Sequence, residues 1–199
     1  MGKFTKIPQD TFEGLQLDAG VLLRNFEPSS DEPPADEDII CATTGGITIS
    51  CTPEFSDMGE DVDNAPVNVK ELMKLDSWTC TISFTALSTS VPFLKMALGV
   101  ADADADKVTP RRDLKQTDFS DIWWAGDRAD GGWVAVKLMN ALSTSGISLQ
   151  TSKSGKGQTS VTLTGHVSID AQDVVPMEFY SSAAASKTGD EEVSGDETV

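Results

Sequence analysis

Asp102, Asp104 and Asp106 alternate with alanines and Asp113 follows, which matches positions one, three, five and twelve of a calcium-binding loop set between two helices. The chemistry would be oxygen ligation of a hard cation. The match fails at position six, where the sharp turn needs glycine and the chain has Lys107, and at nine, where it has Pro110. A solvated acidic loop is the expectation. Ser154-Gly-Lys-Gly-Gln-Thr159 shares a Gly-Lys pair with phosphate-binding loops, but Gly157 stands where Ser or Thr must follow the lysine. That stretch reads instead as a cationic turn carrying Lys153 and Lys156. His166 is the only histidine, and no nucleophile stands beside it in sequence to make it a general base. The cysteines, Cys41, Cys51 and Cys80, have no Cys-x-x-Cys spacing and are odd in number. Neither a zinc site nor a disulfide framework is signalled, and reduced thiols in a strand core are expected. Trp123 and Trp124 are adjacent, so in a strand they point to opposite faces; one is expected in the core and the other at an interface. No catalytic residue, metal ligand or cofactor is assigned.

The elements carrying these residues are strands. In Gly132 to Ile169, Val134, Val136, Leu138 and Leu142 share a parity, as do Ile147 and Leu149, then Val161, Leu163, Val167 and Ile169. Alternation over three runs separated by Gly- and Ser-rich turns predicts an antiparallel meander. Its polar face, Ser148, Gln150, Ser152, Ser160, Thr162, Thr164, His166 and Ser168, is nearly uncharged, which fits solvation or cover by another copy of the chain. Thr48, Ser50, Thr52 and Glu54 alternate with Ile47, Ile49, Cys51 and Phe55, with Pro53 placing the strand's end at an edge or bulge. Thr79, Thr81, Ser83 and Thr85 alternate with Trp78, Cys80, Ile82, Phe84 and Ala86. Leu15 to Leu23 reads as a short strand broken at Ala19-Gly20, Ile39 to Ala42 precedes a Gly45-Gly46 break, and Phe119 to Gly126 reads as a strand. Ser90 to Gly99 predicts a helix with Ser90 as N-cap, Pro92 in the first turn, Gly99 as stop and Val91, Leu94 and Leu98 on one face. Val67 to Leu75 allows a helical turn or two.

A chain of 199 residues with 39% hydrophobic content is enough for a single β domain with a core. Residues 1–11 are expected to form a polar arm, 12–180 the domain, and 181–199 an acidic tail without structure. Segment 27–38, with six carboxylates, three prolines and no base, and segment 56–66, with Asp57, Glu60, Asp61 and Asp63, are expected to be long acidic loops. The net charge of −17 opposes binding to nucleic acid through its phosphates. Met1 to Pro8 lacks the apolar run of a secretory signal, and no stretch approaches the ~18 apolar residues of a membrane span. A soluble chain made in a cytoplasm, without a membrane anchor, is the expectation.

Leu15-Gln-Leu-Asp-Ala-Gly-Val-Leu-Leu23, Ala42-Thr-Thr-Gly-Gly-Ile47, Phe55-Ser-Asp-Met-Gly-Glu-Asp-Val-Asp-Asn-Ala-Pro66, Leu75-Asp-Ser-Trp78 and the closing meander together resemble the major tail (tail tube) proteins of long-tailed phages infecting Gram-positive bacteria. The resemblance covers about residues 12–180 and leaves the insert 27–38 and the tail beyond Ser181 outside it. It implies a mainly β fold, an antiparallel sandwich or open barrel with one flanking helix, six copies to a ring, and rings stacked into a tube that conducts DNA from capsid to host without binding it specifically. In such tubes four strands per subunit join across neighbours into an inner barrel, and other tail proteins meet the tube's ends. The implied location is the virion, after assembly in the host cytoplasm. On this reading Thr48, Ser50, Thr52, Glu54, Thr79, Thr81, Ser83 and Thr85 face a lumen. Asp57, Glu60, Asp61, Asp63, Lys153 and Lys156 meet neighbouring subunits, the loop 56–66 and the arm ordering on assembly. Lumen and outer surface are expected to be net acidic. The competing class is a secreted or surface β-sandwich that binds carbohydrate or calcium, which would want a signal peptide and a compact ligand cluster.

Overall fold

The computed structural model of the chain describes residues 8–30, 33–153 and 155–183. Most of the expected N-terminal arm and C-terminal tail therefore lies outside the described residues. In chain order the strands are β1 (Gln16–Leu23), β2 (Thr43–Asp57), β3 (Met73–Ala86), β4 (Ala101–Asp104), β5 (Lys107–Pro110), β6 (Ser120–Arg128), β7 (Trp133–Ser143), β8 (Ser148–Gln150), β9 (Gln158–Thr164) and β10 (Met177–Ser182). Among the described residues a single α-helix, α1 (Val91–Leu98), follows β3. The fold is mainly β and every strand pairing in it is antiparallel.

The main sheet runs β1-β6-β7-β9-β3-β2, with β10 added to β7 and β8 to β9, while β4 and β5 form a separate hairpin. β7 is the joint of this sheet. Its first half, to Leu138, lies between β6 and β10, and only Leu142 and Ser143 pair with β9. Between them Asn140 has a φ of 47°, its N–H donates to Asp121 Oδ1 at 3.0 Å and its side-chain amide donates to His166 O at 3.1 Å. The β6–β7 register shifts at the same place, as a bulge requires. Two strand groups result, β1-β6-β7-β10 and β8-β9-β3-β2. Both contribute to one buried cluster that includes Leu22, Ile82, Phe84, Ile122, Trp124, Val136, Leu138, Val161, Leu163, Met177 and, from α1, Phe93 and Ala97. Each large side chain buried there contributes about 1.5–3 kcal/mol.

Several expectations are corrected. The bulge at Asn140 reverses the parity of β7, so Ala141 and Ser143 are buried and Leu142 is only half-buried. The meander is not sequential, since β8 pairs with β9 and not with β7. Val167 and Ile169 lie past the end of β9 and are exposed. His166 is likewise off the strand, with Nδ1 3.2 Å from Asn140 O and its ring edge-on to Phe119. The helix ends as expected at Gly99, whose φ is 74° and whose N–H donates to Lys95 O and Met96 O. It buries Phe93 and Ala97, however, and the Ser90 side chain makes no capping bond. The stretch before β3 forms one 3-10 turn, Lys70–Leu72, and the Gly45-Gly46 break is a register shift inside β2. The acidic 102–106 stretch is the β4–β5 hairpin. β10 carries the ordered domain to Ser182, two residues into the expected tail.

Both tryptophans are buried. Trp124 joins the main cluster and donates its indole N–H to Ala19 O at 3.0 Å. Trp123 joins a second cluster on the opposite face, with Leu23, Ala125 and Ala135. That face is covered by Phe26, whose ring centroid lies 5.5 Å from that of Trp123 and 5.4 Å from that of Trp133, and by Tyr180, 5.4 Å from Trp123. The expected interface tryptophan is therefore a core residue, because aromatic side chains from the β1–β2 connection and β10 close over it.

Candidate assembly surface

The β8-β9-β3-β2 group presents the polar face. Residues directly paired across antiparallel strands share a face, and the register pairs Thr48 with Ser83, Ser50 with Thr81, Thr52 with Thr79 and Glu54 with Ser77. It continues outward from Thr81 to Thr164, Ser83 to Thr162 and Thr85 to Ser160, then from Ser160 to Ser148 and Gln158 to Gln150. All eight lumen candidates thus lie on one face of four adjacent strands. Glu54 is the only ionisable side chain among these paired positions. The face bonds to itself: Ser83 Oγ and Thr162 Oγ1 lie 3.0 Å apart, Ser50 Oγ and Thr52 Oγ1 3.2 Å, and Thr144 Oγ1 and Thr164 Oγ1 2.9 Å. Ser77 and Thr79 donate to the Glu54 carboxylate at 2.8 and 3.4 Å. Small hydroxyls satisfied in this way make a smooth, weakly charged surface.

The reverse face of β2 and β3 changes character along its length. At Ile49 and Ile82 it belongs to the core. Beyond Cys51 and Cys80 the same face carries Pro53 with Trp78, Phe55 with Leu75 and Asp57 with Met73, and Phe55, Leu75 and Trp78 are 58%, 45% and 38% exposed. The hairpin is longer than the core it leaves, so its distal half is an arm whose apolar side is left exposed among the described residues. Alternation in the sequence reveals which side is apolar but not where the core stops. Pro53 is tolerated mid-strand because, among the described residues, β2 pairs with β3 alone and the missing N–H falls on the other edge.

Of the proposed contact residues, Asp57 does structural work. Its Oδ1 accepts from Gly59 N and its Oδ2 from Asn68 N, both at 2.8 Å, and these backbone donors hold its carboxyl below the usual carboxylate range. Glu60, Asp61 and Asp63 are exposed on the turn that Asp57 organises. Lys153 and Lys156 are exposed in the β8–β9 turn, well separated in sequence from that arm. In one chain the acidic turn and the basic turn make no ion pair with each other among the described residues.

The other candidates are drawn into local structure. Asp102 Oδ1 lies 2.9 Å from Arg111 Nε and 3.4 Å from Lys115 Nζ, and Arg111 also bridges to Asp118. Asp102 and Asp104 lie along a strand, paired opposite Thr109 and Lys107, so the calcium-loop template is not formed. Among the described residues no cluster of acidic, His or Cys side chains is arranged for a metal ion. An open cleft of about 1010 Å³ lies between β1 and the 27–38 insert, walled by Val21, Phe26, Pro33, Ile39 and Trp133 with Asp18 and Asp127 among its lining. No helix among the described residues is long and apolar enough to cross a membrane. No protein-family model matches the chain, and no curated protein matches it.

Proposed function

We propose that the chain is a self-assembling structural subunit of the phage tail-tube type, built as an open β-sandwich whose β8-β9-β3-β2 group lines the bore of a hexameric ring. The observation that carries this reading is the polar face itself: four adjacent strands whose paired side chains are almost all Ser, Thr or Gln, bounded by β2 and β8, each of which pairs with a single strand among the described residues. Unpaired strand edges invite pairing with another chain, and joining β2 of one copy to β8 of the next would close the sheets into a barrel. A bore of short neutral side chains offers passing DNA no cation to hold it. The exposed apolar side of the β2–β3 arm gives each subunit a surface for the neighbouring ring or neighbouring copy.

Electron microscopy of the purified, concentrated protein tests the reading. Rings or stacked tubes are expected. A protein that stays monomeric at every concentration and salt tried would overturn it and leave the β-sandwich binding module, whose support is the cleft beside Trp133.

A further inference from the structure

We propose that Cys51 and Cys80 are an oxidisable dithiol that closes to a disulfide across β2 and β3 on exposure to a small-molecule disulfide. The two residues are register partners, and their Sγ atoms lie 3.2 Å apart. Both thiols are free in this structure. The kind of pairing matters. A residue in an antiparallel strand points its N–H and C=O to the same side. Cys80 O accepts from Gly165 N at 2.9 Å on the β9 side, so towards β2 Cys80 makes no ladder bond. Cys51 and Cys80 are therefore a non-hydrogen-bonded pair, the kind in which Cα atoms approach to about 4.5 Å and side chains come closest. Disulfides span Cα separations of about 4.4–6.8 Å, so register partners of this kind lie within bridging reach.

The surroundings assign roles to the two sulfurs. Cys51, on the edge strand and partly buried, is the more exposed of the two thiols and the one placed to meet an oxidant first; Cys80 is fully buried. Attack of the Cys51 thiolate on a disulfide such as oxidised glutathione forms a mixed disulfide and releases one glutathione thiolate. The Cys80 thiolate then displaces the second glutathione from Cys51, so that two protein thiols and one glutathione disulfide become one protein disulfide and two glutathione thiols. Burial, with the neighbouring Cys51 sulfur, pushes the Cys80 thiol up to about 12, so the second step is slow at neutral pH and accelerates as pH rises. Cys41 packs at the edge of the main cluster beside the cleft and has no cysteine partner. The pair is the last step of the hairpin before its apolar side becomes exposed at Trp78, so a bridge there fastens the two strands where the arm leaves the core.

The test treats the reduced full-length protein with oxidised glutathione at pH 7 and pH 9, alkylates remaining thiols, and reads intact mass and a non-reducing peptide map. Expected are loss of two hydrogen atoms, one alkylated thiol at Cys41, a linked peptide joining Cys51 to Cys80, and faster closure at pH 9. The Cys41→Ser variant, which leaves the pair untouched, should close in the same way. Three alkylated thiols after prolonged treatment, a stable glutathione adduct on Cys51, or a cross-link through Cys41 would each overturn the proposal.

Discussion

Single side chains in this molecule are mostly consumed by local structure. Asp118 shows the pattern: its carboxylate accepts from Lys115 N at 2.8 Å and bridges to Arg111. The Lys115 backbone N–H first, and the Arg111 charge after it, hold its carboxyl below the usual carboxylate range. A carboxyl depressed in the folded state stabilises it at pH values above the ordinary carboxylate pKa, and that contribution is lost as pH falls through the folded value. Thermal melts of Asp118→Asn should therefore lie below the wild type at pH 7 and converge on it in the acid range. Parallel curves at all pH values would remove Asp118 from the account of acid stability.

At the scale of the element, the β2–β3 hairpin is the part that exceeds its own core. Truncating a buried aliphatic side chain costs about 2–5 kcal/mol, whereas exposed positions away from special geometry change stability by roughly 0.5 kcal/mol or less. Phe55 and Leu75 are exposed partners on the arm. The double variant Phe55→Ser/Leu75→Ser should melt close to the wild type and fail to form rings or tubes. Loss of stability with assembly intact would place these side chains in an interior and remove the arm as a contact surface. Deleting 57–63 is a coarser test, because Asp57 anchors the turn through two backbone N–H groups and its removal disturbs more than a contact.

The whole molecule carries a net charge of −17, and copies of it repel at long range. The basic turn with Lys153 and Lys156 stands apart from the acidic turn 57–63 in one chain, which is the arrangement needed for the two to meet between chains. An exposed ion pair contributes only ~0–1 kcal/mol, but a ring of six would repeat it six times if the tail-tube reading holds. Lys153→Glu/Lys156→Glu should leave thermal unfolding near the wild type and sharply reduce assembly at matched salt, measured by sedimentation. Undiminished assembly would mean that the turn is solvated in the oligomer.

Periodicity made most strands legible. The polar positions of β2 and β3, the broken β1 and the helix ending at Gly99 all follow from residue types and local spacing, because alternation and glycine stops act within a few residues. What the tertiary structure decided depends on pairing at long range. The Asn140 bulge reversed the parity of β7, which no pattern within that run announces. Phe26 and Tyr180 buried Trp123 from segments whose side-chain partners are not encoded in their own alternation. The exposed reach of the arm reflects hairpin length against core size, a comparison that exists only once both are folded. Cys51 and Cys80, unremarkable at a separation of 29 residues, became partners because the hairpin register set them opposite each other, and register is a property of two strands together.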